Sequence, residues 1–106
     1  MGIHSLDYSK QPEWTQEEAI AYECACEVIG DMIGIYTGRI YAEKRKISPD
    51  WEKIERFDDE RARLFREREQ LNGLDHETIA RIRKEYGAKV QAHREGAKEA
   101  LARTAA

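Results

Sequence analysis

A chain of 106 residues has room for one domain and one core. Its 41% hydrophobic and 37% charged residues, with only two prolines, suit a mostly helical bundle. The only cysteines, Cys24 and Cys26, point to nearly opposite sides of a helix. They can neither bridge each other nor, without companion ligands, hold zinc; two small buried apolar residues in a reducing cytoplasm is the expectation.

The N-terminal arm, residues 1–13, shows no periodicity and contains Pro12. Tyr8 is a candidate to dock it onto the domain, and His4 lies within it. MGIHSL matches a myristoylation signal only superficially, and MGIHSLDYSK lacks the apolar core of a signal peptide.

Trp14-Thr15-Gln16-Glu17-Glu18 announces a helix. Thr15 is placed as N-cap, Glu18 closes a capping box, and Trp14 can staple back onto Ala19. The helix should run from about 15 to 46, ending in Lys44, Arg45 and Lys46, cations that suit the negative end of the helix dipole. Within it, CACEVIGDMIGIYTGRIYA places Gly30, Gly34 and Gly38 at four-residue spacing. Each glycine costs roughly 0.8–1 kcal/mol relative to alanine in a helix interior. At this spacing the three line one side as a groove, which lets another backbone approach closely and offsets the loss through packing. That backbone is expected within the bundle or across a homodimer, so Gly34→Ala is expected to destabilise. GIYTGRIYA would also suit a β-hairpin, but the four-residue period and the start signal favour helix. With Ile29 as reference and about 100° per residue, Tyr22, Ala25, Met32, Ile33, Tyr36 and Ile40 share its side. Val28, Cys24 and Ile35 fall on another, the glycines on a third. A helix apolar most of the way round is expected to be buried most of the way round. Asp31 and Arg39 interrupt the run, which falls short of the roughly 20 residues a bilayer needs.

Ser48-Pro49-Asp50 reads as cap, first-turn proline and first-turn acid for a second helix over about 49–72. Its stripe is Trp51, Ile54, Phe57, Leu64, Phe65 and Leu71, with Arg61 and Arg68 in the middle. Those arginines either lay their stems over the core and reach acids on a neighbouring helix, or cross a partner interface. Asn72-Gly73 is a glycine C-cap signal, with Leu74 placed for the accompanying apolar contact. Asp75 caps a third helix over about 76–102, with Ile79, Ile82, Tyr86, Val90, His93, Ala97 and Leu101 on one face. Short connections make consecutive helices antiparallel neighbours. The expected fold is all-α: an up-down-up bundle of three long helices in one domain, with dimerisation through the first helix as an option.

No motif carries chemistry. His76-Glu77 begins like a zinc-protease motif, but Ala80 stands where its second histidine belongs. No Glu-x-x-His pair supports a di-iron site. There is no phosphate loop, and no serine or cysteine has an identifiable base. His93, on an apolar stripe, reads as a packed and hydrogen-bonded histidine. No cofactor, no metal and no enzymatic activity are therefore expected. The third helix carries Arg81, Arg83, Lys84, Lys89, Arg94, Lys98 and Arg103, but acids are interspersed, and the second helix alternates sign. That pattern reads as a salt-bridged solvated surface; a phosphate-binding face would show a cleaner positive stripe. Residues 1–38 hold seven acidic groups against Lys10 alone, and the remainder 17 basic against 14 acidic. An acidic face can meet a basic partner, although such a bias more often marks a solvated face.

HSLDYSKQPEWTQEEAIAYECACEVI, His4–Ile29, and LDHETIARIRKEYGAKV, Leu74–Val90, resemble small proteins carried on proteobacterial mobile elements such as plasmids and integrative conjugative elements. The resemblance covers most of the chain and brings no catalytic motif, so no functional residue carries over. It implies the company of small helical anti-CRISPR and other anti-defence inhibitors, and of immunity proteins or antitoxins. The expectation is a cytoplasmic, non-enzymatic protein that binds another protein, with Gly30, Gly34, Gly38, Arg61 and Arg68 as interface residues. A nucleic-acid-binding accessory or regulatory factor of the element is the alternative from a different class.

Overall fold

The computed structural model describes residues 14–105. The expectations on the arm, Tyr8, His4 and Gly2 fall outside the described residues. Three helices follow one another: α1 (Gln16–Lys44), α2 (Trp51–Gln70) and α3 (His76–Ala105). The all-α, up-down-up expectation holds. Thr37 on α1 lies beside Arg61 and Gly30 beside Arg68, so α2 runs antiparallel to α1. Glu18 meets His76 and Asp31 meets Arg94, so α3 runs parallel to α1. α1 packs against both partners, whereas no Cα of α2 comes within 8 Å of one of α3. Long side chains bridge that gap. No helix of the described residues is long and apolar enough to cross a membrane.

The start signals behave as chemistry requires, with one displacement. Thr15 Oγ1 accepts the Glu18 N–H at 3.1 Å and Glu18 Oε1 accepts the Thr15 N–H at 2.9 Å, a complete capping box. Asp75 accepts the Thr78 N–H and hydroxyl at 3.2 and 2.6 Å. The N-cap of α2, however, is Asp50 and not Ser48: its carboxylate accepts the Lys53 N–H at 3.1 Å. The reason lies on α1. Glu43, 4% exposed, accepts the Asp50 N–H at 3.1 Å and pins the helix start two residues later than Ser48 would.

Gly73 is likewise not the left-handed cap the sequence suggests. No described residue has positive φ, α2 is capped by extended Leu71, and Leu74 is 53% exposed. Gly73 is needed for room: a Cβ there would lie 2.6 Å from the Trp14 ring. That ring stands edge-on to Tyr22 with centroids 5.5 Å apart, closing the end of the bundle.

The core is Ala25, Ile29, Met32 and Ile33 of α1, Leu64 of α2, and Ile79, Ile82, Tyr86 and Val90 of α3. Ile29, Leu64 and Ile82 are its largest fully buried side chains, and each contributes about 1.5–3 kcal/mol by leaving water. The α3 face continues in register through His93, Ala97 and Leu101, but from Gln91 to Thr104 every residue is exposed. His93 is therefore not packed into the core, because α3 draws away from α1 beyond Val90, where the Arg94–Asp31 pair at 3.4 Å still links the two helices. Nor is α1 buried most of the way round, since Ile20, Gly34, Gly38 and Tyr41 face solvent. In α2 only Ile54 and Leu64 of the stripe are buried; Trp51 and Phe65 are exposed. Cys24 and Cys26 are half-buried free thiols.

Candidate interaction surface

Three of the five expected interface residues, Gly30, Arg61 and Arg68, lie along the α1–α2 seam. Antiparallel packing sets Gly30 against α2 one turn before Gly34 and aligns Thr37 with Arg61. A Cβ at Gly30 would lie 3.4 Å from Arg68 Nη1, so the first glycine makes room for a guanidinium and not for a backbone. Arg61 Nη1 donates to Thr37 Oγ1 at 3.1 Å, and its Nη2 donates to Asp58 at 2.7 Å. Arg61 thus ties α2 to α1 through a hydroxyl, its acid partner lying on its own helix. Thr37 can accept because its own hydroxyl donates back to the Ile33 carbonyl at 2.9 Å.

Arg68 differs. Its guanidinium lies over the Phe65 ring at 5.3 Å, and no described residue gives it a hydrogen bond or an ion pair. Phe65 is 43% exposed beneath it. A half-buried, unpaired arginine stacked on an exposed ring combines the residue types that anchor protein interfaces.

Gly34 and Gly38 follow Gly30 on α1, one and two turns further on. Around either one, nothing among the described residues lies within 4 Å of where a Cβ would be. The expectation that a backbone packs against them within the bundle is therefore corrected: α2 and α3 approach α1 on its other two sides. The glycines form a bare strip on solvent, with Tyr41 (60% exposed) one turn beyond. Phe65 and Tyr41 completed this surface without being singled out from sequence. Phe65 belongs to the α2 stripe by spacing, yet it lies about 100° round the helix from the fully buried Leu64 and is exposed at the edge of that stripe.

Two polar clusters lie elsewhere. Between α2 and α3, the buried Tyr86 hydroxyl donates to Glu67 Oε1 at 2.5 Å, Arg81 Nη2 donates to Glu67 Oε2 at 3.3 Å, and Arg63 pairs with Glu60. Burial and the Glu67 carboxylate push Tyr86 above the ordinary phenol range. The bond from Arg63 holds Glu60 below the usual carboxylate range. At the end closed by Trp14, His76 Nε2 lies 2.5 Å from Glu18 Oε2. The Thr15 N–H first, then His76, lower the Glu18 carboxyl. In both clusters the charged groups satisfy each other and bridge elements. Among the described residues no group of three or more His, Cys, Asp or Glu could hold a metal ion.

Compared with protein-family models, curated proteins and solved structures, the chain matches none.

Proposed function

We propose that this chain acts by binding another protein, and most concretely that it inhibits a host defence complex, in the manner of anti-CRISPR proteins, from a mobile element. The observation that supports this reading is the bare strip of Gly34 and Gly38. Two interior glycines weaken α1 by roughly 0.8–1 kcal/mol each, and nothing within the described chain gains from their lack of side chains. A partner seated on the strip would. It would meet Phe65 and Arg68 on one side and Tyr41 on the other. A second copy of the chain is one such partner, a defence subunit another. The nucleic-acid alternative is less well supported, since Arg81 is already tied to Glu67 and Glu85.

The test pairs a binding assay with a cellular one. The tagged chain, incubated with nuclease-treated host lysate, should retain a protein, and Gly34→Leu, which fills the strip, should release it. Expression in cells with an active CRISPR system should restore plasmid uptake. Retention of nucleic acid from untreated lysate with no protein retained from the nuclease-treated one, or retention unchanged by Gly34→Leu and Gly38→Leu, sinks the reading.

A further inference from the structure

On the other flank of α1, where α3 leaves the bundle, a V-shaped cleft opens. One wall is α1 with the start of α2; the other is the overhanging half of α3. Its floor is apolar, with Met32, Ile35 and Tyr36 facing Ala92 and His93. It continues past Arg39 to Ala42 and Phe57. The α3 stripe of His93, Ala97 and Leu101 runs on along the far wall with nothing on it, and Leu101 is 70% exposed. A helical stripe at this spacing is complementary to another helix, the packing that Val90 and Tyr86 find one turn earlier.

The rim is cationic. Arg39 lies over Tyr36 at 5.2 Å and over Phe57 at 5.9 Å, and Lys89 over Tyr86 at 5.8 Å. Neither has a hydrogen-bond or ion-pair partner among the described residues. Lys46 and Lys53 share one carboxylate, Glu43, at 2.8 and 3.7 Å. Along the α3 overhang, Arg94 and Lys98 border the stripe on one side, Arg94 paired with Asp31 of α1 at 3.4 Å, while Glu95, Glu99 and Arg103 fall towards its back. The exposed pairs Lys98–Glu95 and Arg103–Glu99, at 3.7 and 3.6 Å, are of the kind that a stronger partner displaces at little cost.

From this geometry we infer that the cleft takes an amphipathic helix of a partner protein, its apolar stripe on the floor and acidic residues on its flanks. A second copy joined tail to tail is disfavoured, because two-fold antiparallel pairing sets the Arg94 and Lys98 flank against itself. Duplex nucleic acid would satisfy the rim but leave the apolar floor and the stripe uncovered. This surface is distinct from the glycine strip, so it stands or falls separately from the function proposed there.

The probe is a labelled 18-residue helical peptide with leucines at i, i+3, i+4 and i+7 spacing and glutamates flanking them. A twin peptide carries lysine in place of glutamate. Anisotropy titrations with the full chain should show the acidic peptide binding at least about tenfold more tightly than its twin, with affinity falling as salt rises. Arg39→Glu with Lys89→Glu, both exposed and therefore compatible with folding, should abolish that preference. Gly34→Leu should leave it unchanged, which separates this cleft from the glycine strip. No binding of the acidic peptide, equal binding of both, tighter binding of a duplex DNA, or a tail-dependent dimer in sedimentation overturns the inference.

Discussion

The two halves of α3 carry the same kind of stripe and end differently. From His76 to Val90 the stripe is buried, with Ile82 fully covered and Ile79, Tyr86 and Val90 at 3–4% exposure. From Gln91 onward the stripe continues as His93, Ala97 and Leu101 and is entirely exposed. The difference is not in the helix but in what stands opposite. Near the α1 N-terminus, Trp14, Tyr22 and the 72–75 turn close the space. Near the α1 C-terminus, α1 gives its buried face, Ile40 and Glu43, to α2, leaving α3 without a partner. A helix keeps its hydrophobic register beyond the bundle only if something else uses it, or if its local propensity suffices. The closed and open ends should therefore respond very unequally to the loss of a leucine.

Leu64→Ala removes the fully buried α2 side chain between α1 and α3 and should lower stability by about 2–5 kcal/mol in denaturant melts. Leu101→Ala should change it by less than about 0.5 kcal/mol. Comparable losses from the two would mean that the overhang is packed in solution.

Gly73→Ala sharpens the closed end. With no backbone strain to relieve, the added methyl must push the Trp14 ring off Tyr22. The expected loss is about 1 kcal/mol, the lower end of overpacking, because the ring is more than a third exposed and can swing. A shift in tryptophan emission that persists in the Trp51→Phe background would assign it to Trp14. An unchanged spectrum would mean that the ring does not rest on Gly73.

At the open end, Glu43 supplies a pH lever. The Lys46 bond first, then the Asp50 N–H, depress its carboxyl below the ordinary value of 4.5. A depressed folded value means that stability is fully present above the unfolded value and drains as pH falls through the folded one. Glu43→Gln should therefore weaken the fold at pH 7, and the gap to the parent should narrow as pH drops below about 4.5. A gap of constant width would show that burial and shape, not charge, carry the contribution of Glu43.

Legibility followed the range of the interaction. Thr15–Glu18 and Asp75–Thr78 could be read from the chain because both partners lie within one turn. The stripes located the core because periodicity is local. What could not be read depends on how far each helix reaches along its neighbours. α1 and α3 span 29 and 30 residues and start side by side at Glu18 and His76, so the exposed second half of α3 follows from where the two axes diverge and not from a difference in length. The same holds for the surface: Gly30 and Arg68 meet, and Gly34 and Gly38 stay bare, only because α2 crosses α1 on the Thr37 side. Sequence spacing put the three glycines on one face and could not say that only one of them would be covered.

Those glycines give the smallest and most diagnostic effect. Gly34 and Gly38 on α1 and Gly96 on the α3 overhang all have space for a methyl group. In the isolated chain Gly34→Ala and Gly96→Ala should each stabilise by up to about 1 kcal/mol, since alanine improves propensity and meets nothing. This reverses the sign that close packing inside the bundle would give. If Gly34 seats a partner or a second copy, the free chain gains while the complex loses, because the methyl group then intrudes on a close approach. Melts of Gly34→Ala over a hundredfold range of protein concentration resolve the two. A gain independent of concentration, together with weaker partner retention, places the glycine strip in an interface. A gain with unchanged retention leaves the strip without a role, and a loss at every concentration would mean that a part of the chain packs on Gly34 after all.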